Sequence, residues 1–242
     1  MKQFLISFLL SLCSVLEAQT DTEFWFAAPE VSVQHADAPV YLHLTASNQS
    51  TNVVVSIPAN PDVIPLQFYL AANQTTSIQL EEELTPLINL ENFTPDSVGN
   101  KGLLITSTSD ITAYYEVRGT SPLWGVVNTD LFTLKGRNAL GNEFYTPFQK
   151  GLANYNYQSA PNCWSSFDVV ATQDDTEVTI TPKVDVYNHL ANIPFTILLN
   201  RGQTYSVRGL LQENDYSMSG SYISSTKPIA VSVKDDSVIR PE

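Results

Sequence analysis

Two pairs of adjacent carboxylates are the residues of this 242-residue chain that could most readily do acid–base or metal chemistry. Asp174-Asp175 precedes a threonine-initiated segment, and Asp235-Asp236 lies near the end of the chain. Two carboxylates can act as general acid and base or ligate calcium. Aspartate also favours turns, because its side chain hydrogen-bonds to nearby backbone, and glycoside hydrolysis requires two carboxylates that face one cleft. Since nothing in the sequence brings a partner to either pair, we interpret both pairs as turn residues.

Histidine and cysteine are too sparse to indicate a metal site or a nucleophile. His35, His43 and His189 are scattered and share no metal-ligand spacing with a cysteine or with one another. Cys163 has no histidine close in sequence, and we interpret it as a buried small residue. The sequence also lacks the common nucleophile-elbow, phosphate-loop and zinc-protease motifs. We therefore expect no catalytic residue, no metal and no cofactor, and predict that the chain is not an enzyme.

An aromatic, asparagine-rich segment at residues 149–166 is the strongest candidate for binding. Tyrosine, tryptophan, asparagine and serine give adaptable contacts at low ordering cost, which is typical of binding loops carried by a rigid scaffold. The candidate ligand-binding residues are Tyr155, Tyr157 and Trp164 of this segment, joined by Trp124. The alternative is that these aromatic residues cover a junction between two halves of the chain.

The elements that must carry this segment occur twice. Three segments of the first half recur in the second half, in the same order and at an offset of about 120 residues. The matching pairs are EFWF (23–26) with EFYT (143–146), TNVVVSIP (51–58) with TEVTITP (176–182), and GLLITSTSDI (102–111) with GSYISSTKPI (220–229). Self-similarity of this kind indicates two tandem copies of one structural unit.

Each copy has the pattern of a small β-sandwich. Apolar residues alternate with polar ones in about seven short runs per copy, and turn signals separate the runs. We therefore predict an all-β fold with two tandem antiparallel β-sandwich-like units. The predicted division is a signal peptide at 1–18, a first β-sandwich repeat at 19–118, a linker at 119–140 and a second β-sandwich repeat at 141–242. The C-terminal end of the second repeat is either complete or truncated.

The N-terminus and the charge predict that the protein is located outside the cell. Met1-Lys2, the apolar run from Phe4 to Leu12 and a small residue at Ala18 have the order of a secretory signal peptide. The run is too short to span a bilayer, so no transmembrane segment is expected after cleavage. The formal net charge of −13 argues against a nucleic-acid partner. We predict a secreted or cell-surface protein.

Five segments together carry a resemblance to a known family. They are KGLLITSTSDI (101–111), LGNEFY (140–145), ATQDDTEVTITP (171–182), LNRGQTY (199–205) and SGSYISSTKPIAV (219–231). As a set in this order they resemble the IgGFc-binding protein N-terminal domain family. The resemblance implies extracellular, non-catalytic, all-β modules, here of the secreted or surface type found in Bacteroidetes.

The expected function follows from the predicted fold, the predicted location outside the cell and the family resemblance. We expect a non-enzymatic module for adhesion or protein binding that is part of a larger secreted protein. The alternative is a secreted carbohydrate-binding accessory module that uses the aromatic segment. The partner is therefore an extracellular protein or a glycan. The resemblance does not assign binding to the antibody Fc region, because the matching residues are turns and strand cores.

Overall fold

The computed structural model describes residues 19–31, 38–84, 89–121, 125–154, 163–211, 213, 215–236 and 238–239. The predicted signal peptide at 1–18 lies outside these residues. Strands dominate the described residues, whose helical elements are one four-residue α-helix and one 3-10 helix, and this confirms the all-β prediction.

The first half of the chain forms one antiparallel sheet of seven strands. Five strands follow the order β4-β3-β7-β2-β5, and β1 and β8 pair with β7. A two-residue strand, β6, belongs to the other sheet. The bounds are β1 Asp21–Phe26, β2 Val40–Ala46, β3 Thr51–Ser56, β4 Leu66–Leu70, β5 Thr75–Gln79, α1 Leu80–Glu83, β6 Val98–Gly99, β7 Leu103–Ser121, β8 Gly125–Leu134 and a 3-10 helix at Gly136–Ala139.

The second half forms a second seven-stranded sheet. The bounds are β9 Gly141–Tyr145, β10 Ala153–Asn154, β11 Ser165–Ala171, β12 Thr176–Thr181, β13 Phe195–Leu199, β14 Thr204–Arg208, β15 Tyr222–Asp235 and β16 Val238–Ile239. Its strands follow the order β13-β12-β15-β11-β14-β6, with β9 on β15. β10 and β16 pair separately as a two-stranded ribbon.

One long strand runs through the middle of each unit. Residues 103–107 of β7 pair mainly with β1 and β3, whereas residues 111–121 pair with β2 and β8. β15 divides its partners in the same way between β9 and β12 and then β11. The two halves of each sheet enclose a core between them, so each unit is sandwich-like. The sequence predicted two short strands in place of each long one.

The cores follow the period-two pattern of the strands. Along β2, buried and partly exposed residues alternate without a break, as successive side chains point to opposite faces of a sheet. Leu42 and Leu44 of β2 and Val53 and Val55 of β3 are completely buried in the first core. The second core is built around Phe167 in the same manner.

Strand pairing is equivalent in the two units. Phe24 of β1 lies opposite Ile105, and Phe144 of β9 lies opposite Ile223. The other matching pairs include Ala46 with Ile111 and Ala171 with Ile229, and Thr51 with Leu70 and Thr176 with Leu199. The repeats in the sequence are therefore repeats of strand register.

The predicted linker at 119–140 is largely regular structure. It contains the end of β7, all of β8 and the 3-10 helix. β8 pairs with β7 along its length, from Leu134 opposite Ala113 to Gly125 opposite Ser121. β8 adds to the edge of β7 that β2 leaves free.

A third apolar cluster lies between the two units. Phe24 and Phe26 of β1 point into the first core, whereas Trp25 packs with Val170 of β11 and Ala230 of β15. Since successive strand residues face opposite sides, β1 serves both its own core and the junction. The outer face of β11 and β15 is thereby covered by the first unit.

Backbone hydrogen bonds also join the units. β6, which precedes β7 in the chain, adds to the edge of the second sheet, where Gly99 lies opposite Thr204 of β14. The Gly102 amide donates to the Gly202 carbonyl oxygen at 3.0 Å. These contacts hold the second sheet against the first unit.

Candidate functional site

The structure describes one of the four residues predicted to bind a ligand. Trp124, Tyr155 and Tyr157 lie outside the described residues. Trp164 directly precedes β11 and follows the fully buried Cys163. Trp164 is therefore the residue from which a candidate site can be built.

Arg208 lies against two aromatic rings. Its guanidinium carbon is 5.2 Å from the ring centroid of Trp164 and 5.3 Å from that of Tyr187. We call these three residues the Arg208 stack. The Nε atom of Arg208 is buried and has no hydrogen-bond partner among the described residues. The two rings therefore supply much of the favourable environment of this cation, through cation–π attraction.

Strand register brings the Arg208 stack together. β11 and β14 are antiparallel neighbours, with Ser166 opposite Arg208, so Trp164 enters β11 beside the last residue of β14. The Tyr187 amide donates to the Arg208 carbonyl oxygen at 3.0 Å, which fixes the third member of the stack. The site is thus carried by a strand end and the turn that hydrogen-bonds to it.

Apolar side chains are exposed in the Arg208 stack and in the residues that follow Arg208 in sequence. Tyr187 is 39% exposed, Leu210 41% and Leu211 46%. The Tyr216 hydroxyl accepts a hydrogen bond from the Leu210 amide at 3.0 Å and donates one to the Asp185 carbonyl oxygen at 2.5 Å. These bonds hold the segments around residues 185, 210 and 216 side by side. An apolar surface next to a partly buried arginine is a composition suited to a protein contact.

A serine–histidine–glutamate chain crosses the outer face of the first sheet. The Ser77 hydroxyl lies 2.8 Å from His43 Nδ1, and His43 Nε2 lies 2.7 Å from Glu116 Oε2. Burial acts to raise the pKa of Glu116, but hydrogen bonds from Arg118 and His43 together lower it below its ordinary value. Arg118 donates to both carboxylate oxygens, at 3.0 and 2.7 Å. Because Arg118 neutralises the acid and Ser77 is exposed on an open sheet face, this chain is better suited to ordering the face than to catalysis.

A shallow polar pocket of about 240 Å³ opens near the start of β1. It is lined by Thr22, Ser47, Asn48, Gln49, Thr108, Ser109 and Asp110. Its walls are turn residues and strand ends without an aromatic ring. In the part of the chain that the structure describes, no three histidine, cysteine or acidic residues converge as metal ligands.

The comparisons with known proteins support the resemblance in the second unit. Residues 130–239 match the family described as IgGFc binding protein, which confirms the predicted resemblance over these residues. The match runs from within β8 to β16 and includes the whole Arg208 stack. No curated protein and no solved structure matches the chain. The family consists of binding modules, and the β-rich fold is consistent with a protein-binding module.

Sequence reasoning found one member of the Arg208 stack and missed two. Trp164 stood out in an aromatic segment, whereas Arg208 and Tyr187 lie in separate segments with no motif of their own. The available signal was the position of Arg208 at the end of a predicted strand, just before Gly209.

No helix among the described residues is long and apolar enough to cross a membrane.

Proposed function

We propose that the chain is a non-enzymatic β-sandwich module that acts outside the cell or on its surface and binds a protein partner in adhesion. The observation that carries this proposal is the Arg208 stack, which lies in the segment similar to a family of binding modules. Tryptophan, tyrosine and arginine are the residues that most often dominate the energy of protein–protein contacts.

The charge of the chain narrows the class of partner. The formal net charge of −13 disfavours nucleic acid and anionic surfaces. A protein whose overall surface is neutral or basic is electrostatically suited to this acidic module.

We include in the same proposal that the protein is exported and that this chain is a module of a larger secreted protein. The predicted signal peptide at 1–18 supports export, and the predicted repeats at 19–118 and 141–242, with the segment 119–140 between them, support a module of a larger secreted protein. The apolar cluster around Trp25 and the pairing of β6 with β14 favour two units that act as one body.

A carbohydrate-binding accessory module is the second candidate. It is favoured by the partly exposed rings of Trp164 and Tyr187, because apolar faces of sugar rings pack on aromatic side chains. It is the weaker candidate, because Arg208 lies over a face of each of these rings.

Parallel protein and glycan arrays separate the two candidates. The purified chain would be applied to an array of secreted and cell-surface proteins that includes the immunoglobulin G Fc fragment, and to a glycan array. We expect protein binding that is lost in Trp164→Ala and retained in Tyr69→Ala, a change of an exposed tyrosine on the first unit. Binding to glycans alone would favour the second candidate, and an absence of binding on both arrays would contradict both.

A further inference from the structure

The polar pocket near the start of β1 lies at a connection that occurs in both units. Its lining comes mainly from residues 47–49, in the connection between β2 and β3, and from residues 108–110 of β7. The connection between β11 and β12, residues 172–175, is the counterpart in the second unit. Both connections are four residues long, so their residues correspond one to one.

Hydrogen bonds at the two connections show the same correspondence. The Asn52 amide donates to the Thr108 hydroxyl oxygen at 3.0 Å. The equivalent bond of the second unit runs from the Glu177 amide to the Thr226 hydroxyl oxygen, also at 3.0 Å. The residues that directly follow these two threonines therefore occupy equivalent positions.

The side chain at this position differs between the units. It is Ser109 in the first unit and Lys227 in the second. The Lys227 ammonium donates to the carbonyl oxygen of Asp174, the third residue of its connection, at 2.5 Å. Gln49 is the third residue of the other connection, and both Gln49 and Ser109 line the pocket of about 240 Å³. The second unit thus fills with its own ammonium group the place where the shorter serine leaves a pocket in the first.

The charge of the pocket suits a cation. Asp110 is the charged residue of the lining, and the other lining residues are neutral and polar. Its counterpart in the second unit is Pro228, which has no charge. Arg137 lies 3.4 Å from the Thr22 hydroxyl at the pocket wall, but its guanidinium donates to both carboxylate oxygens of Asp21. No salt bridge among the described residues includes Asp110, so its carboxylate is available to a ligand.

We propose that this pocket binds the ammonium group of a lysine side chain from a protein partner. The ammonium takes the place that Lys227 fills in the second unit, where it donates to the Gln49 carbonyl oxygen and pairs with the Asp110 carboxylate. An ammonium group has three donors and no acceptor, and the hydroxyl and amide groups of the lining offer further acceptors. The net charge of −13 adds a general attraction for a basic partner. The pocket belongs to the first unit, so this proposal and the Arg208 stack fail independently.

An NMR titration of the purified protein tests the pocket with a defined probe. The probe is the peptide acetyl-Gly-Lys-Gly-amide at millimolar concentration, and its control is the same peptide with an acetylated lysine. We expect amide shift changes confined to Thr22 and to residues 47–49 and 108–110 with the probe, and none with the control. The absence of these changes, or equal changes with both peptides, would overturn the proposal. Binding of n-butylammonium without binding of the probe would overturn a lysine side chain as the ligand.

Two pairs of variants sharpen the test. Ser109→Lys supplies an internal ammonium, as Lys227 does, and should abolish probe binding, whereas Ser109→Ala keeps the pocket open and should retain it. Asp110→Asn should weaken binding by about threefold, as loss of an exposed ion pair does. Asp62→Asn, a change of an exposed aspartate elsewhere on the first unit, should leave binding unchanged. Full binding by folded Ser109→Lys would overturn the proposal. Equal weakening in the two aspartate variants would also overturn it, because it would show long-range attraction alone.

Discussion

Asp96 of the first unit accepts a hydrogen bond from the hydroxyl group of Tyr205 in the second unit. The same carboxylate accepts hydrogen bonds from His189 Nε2 at 2.9 Å and from Asn188 Nδ2 at 2.8 Å. Three donors from one unit therefore converge on one acid of the other. This loop contact supplements the strand pairing and the apolar cluster as a connection between the units.

Removal of the Asp96 charge is expected to destabilise the protein in a pH-dependent way. Burial acts to raise the pKa of Asp96, but the hydrogen bonds from Tyr205, Asn188 and His189 lower it below 3.8. Its stabilising contribution is therefore present above pH 3.8 and is lost as pH falls through the lower folded-state pKa. Asp96→Asn should lower the free energy of unfolding by about 1–3 kcal/mol at neutral pH.

Urea unfolding at neutral pH and near pH 3 measures this effect. The difference between wild type and Asp96→Asn should shrink at the lower pH. Asp62→Asn, a change of an exposed aspartate, is the control and should have little effect at either pH. A deficit in Asp96→Asn that is equally large at both pH values would show that the ionic contact is not its cause.

The close approach at Gly102 gives a second prediction. A Cβ atom at this position would lie 2.5 Å from Val170 Cγ2 and 2.6 Å from the Gly202 carbonyl oxygen. Gly102→Ala should therefore force the two units apart locally and destabilise the protein by about 1–3 kcal/mol or more, as overpacking does. Thermal unfolding compares this variant with Gln67→Ala on an exposed strand position, which should change little. An unchanged stability in Gly102→Ala would mean that Gly102 does not approach Val170 and Gly202 this closely.

Equivalent core positions should carry equivalent energies. Leu70 ends β4 opposite Thr51, and Leu199 ends β13 opposite Thr176; both leucines are buried. Leu70→Ala and Leu199→Ala should each cost about 2–5 kcal/mol of unfolding free energy. The controls are the exposed neighbours in Tyr69→Ala and Leu198→Ala, which should cost much less. If only one leucine were costly, the energetic equivalence of the repeats would be wrong.

The strands and the repeat could be predicted from the sequence because both depend on local alternation. The long strands β7 and β15 could not, since Ser109-Asp110 and Lys227-Pro228 have the composition of turns. In the structure the Ser107 hydroxyl donates to the Ser109 carbonyl oxygen at 2.8 Å. The Ser225 hydroxyl donates to the Lys227 carbonyl oxygen at 2.7 Å in the same way. Turn chemistry is therefore present at both places, but pairing with neighbouring strands keeps the chain extended.

The candidate site was less predictable than the fold. The aromatic content of residues 149–166 identified Trp164, but only the register of β11 with β14 brings Arg208 to it. Contacts of this kind depend on which strands become neighbours, and a single sequence has no local signal for that choice. The inter-unit role of Trp25 was hidden for the same reason, since its alternation is consistent with any half-buried strand.

The surface chemistry of the Arg208 stack gives a prediction for the partner contact. Arg208→Lys keeps the charge but loses the planar group that lies over the rings of Trp164 and Tyr187. We expect this variant to bind the partner more weakly, in the same direction as Arg208→Ala, while circular dichroism shows an unchanged fold. Full binding by Arg208→Lys would show that charge alone, and not stacking, is recognised.

The most direct test of the proposed function is surface plasmon resonance with a protein partner identified on the array, comparing wild type with Arg208→Ala. Leu131→Ala, a change of an exposed residue on β8, is the matched control. We predict that Arg208→Ala weakens the affinity about tenfold or more, as truncation of a central arginine contact does, while Leu131→Ala binds as wild type does. Equal affinity in all three proteins would contradict a binding surface built on the Arg208 stack.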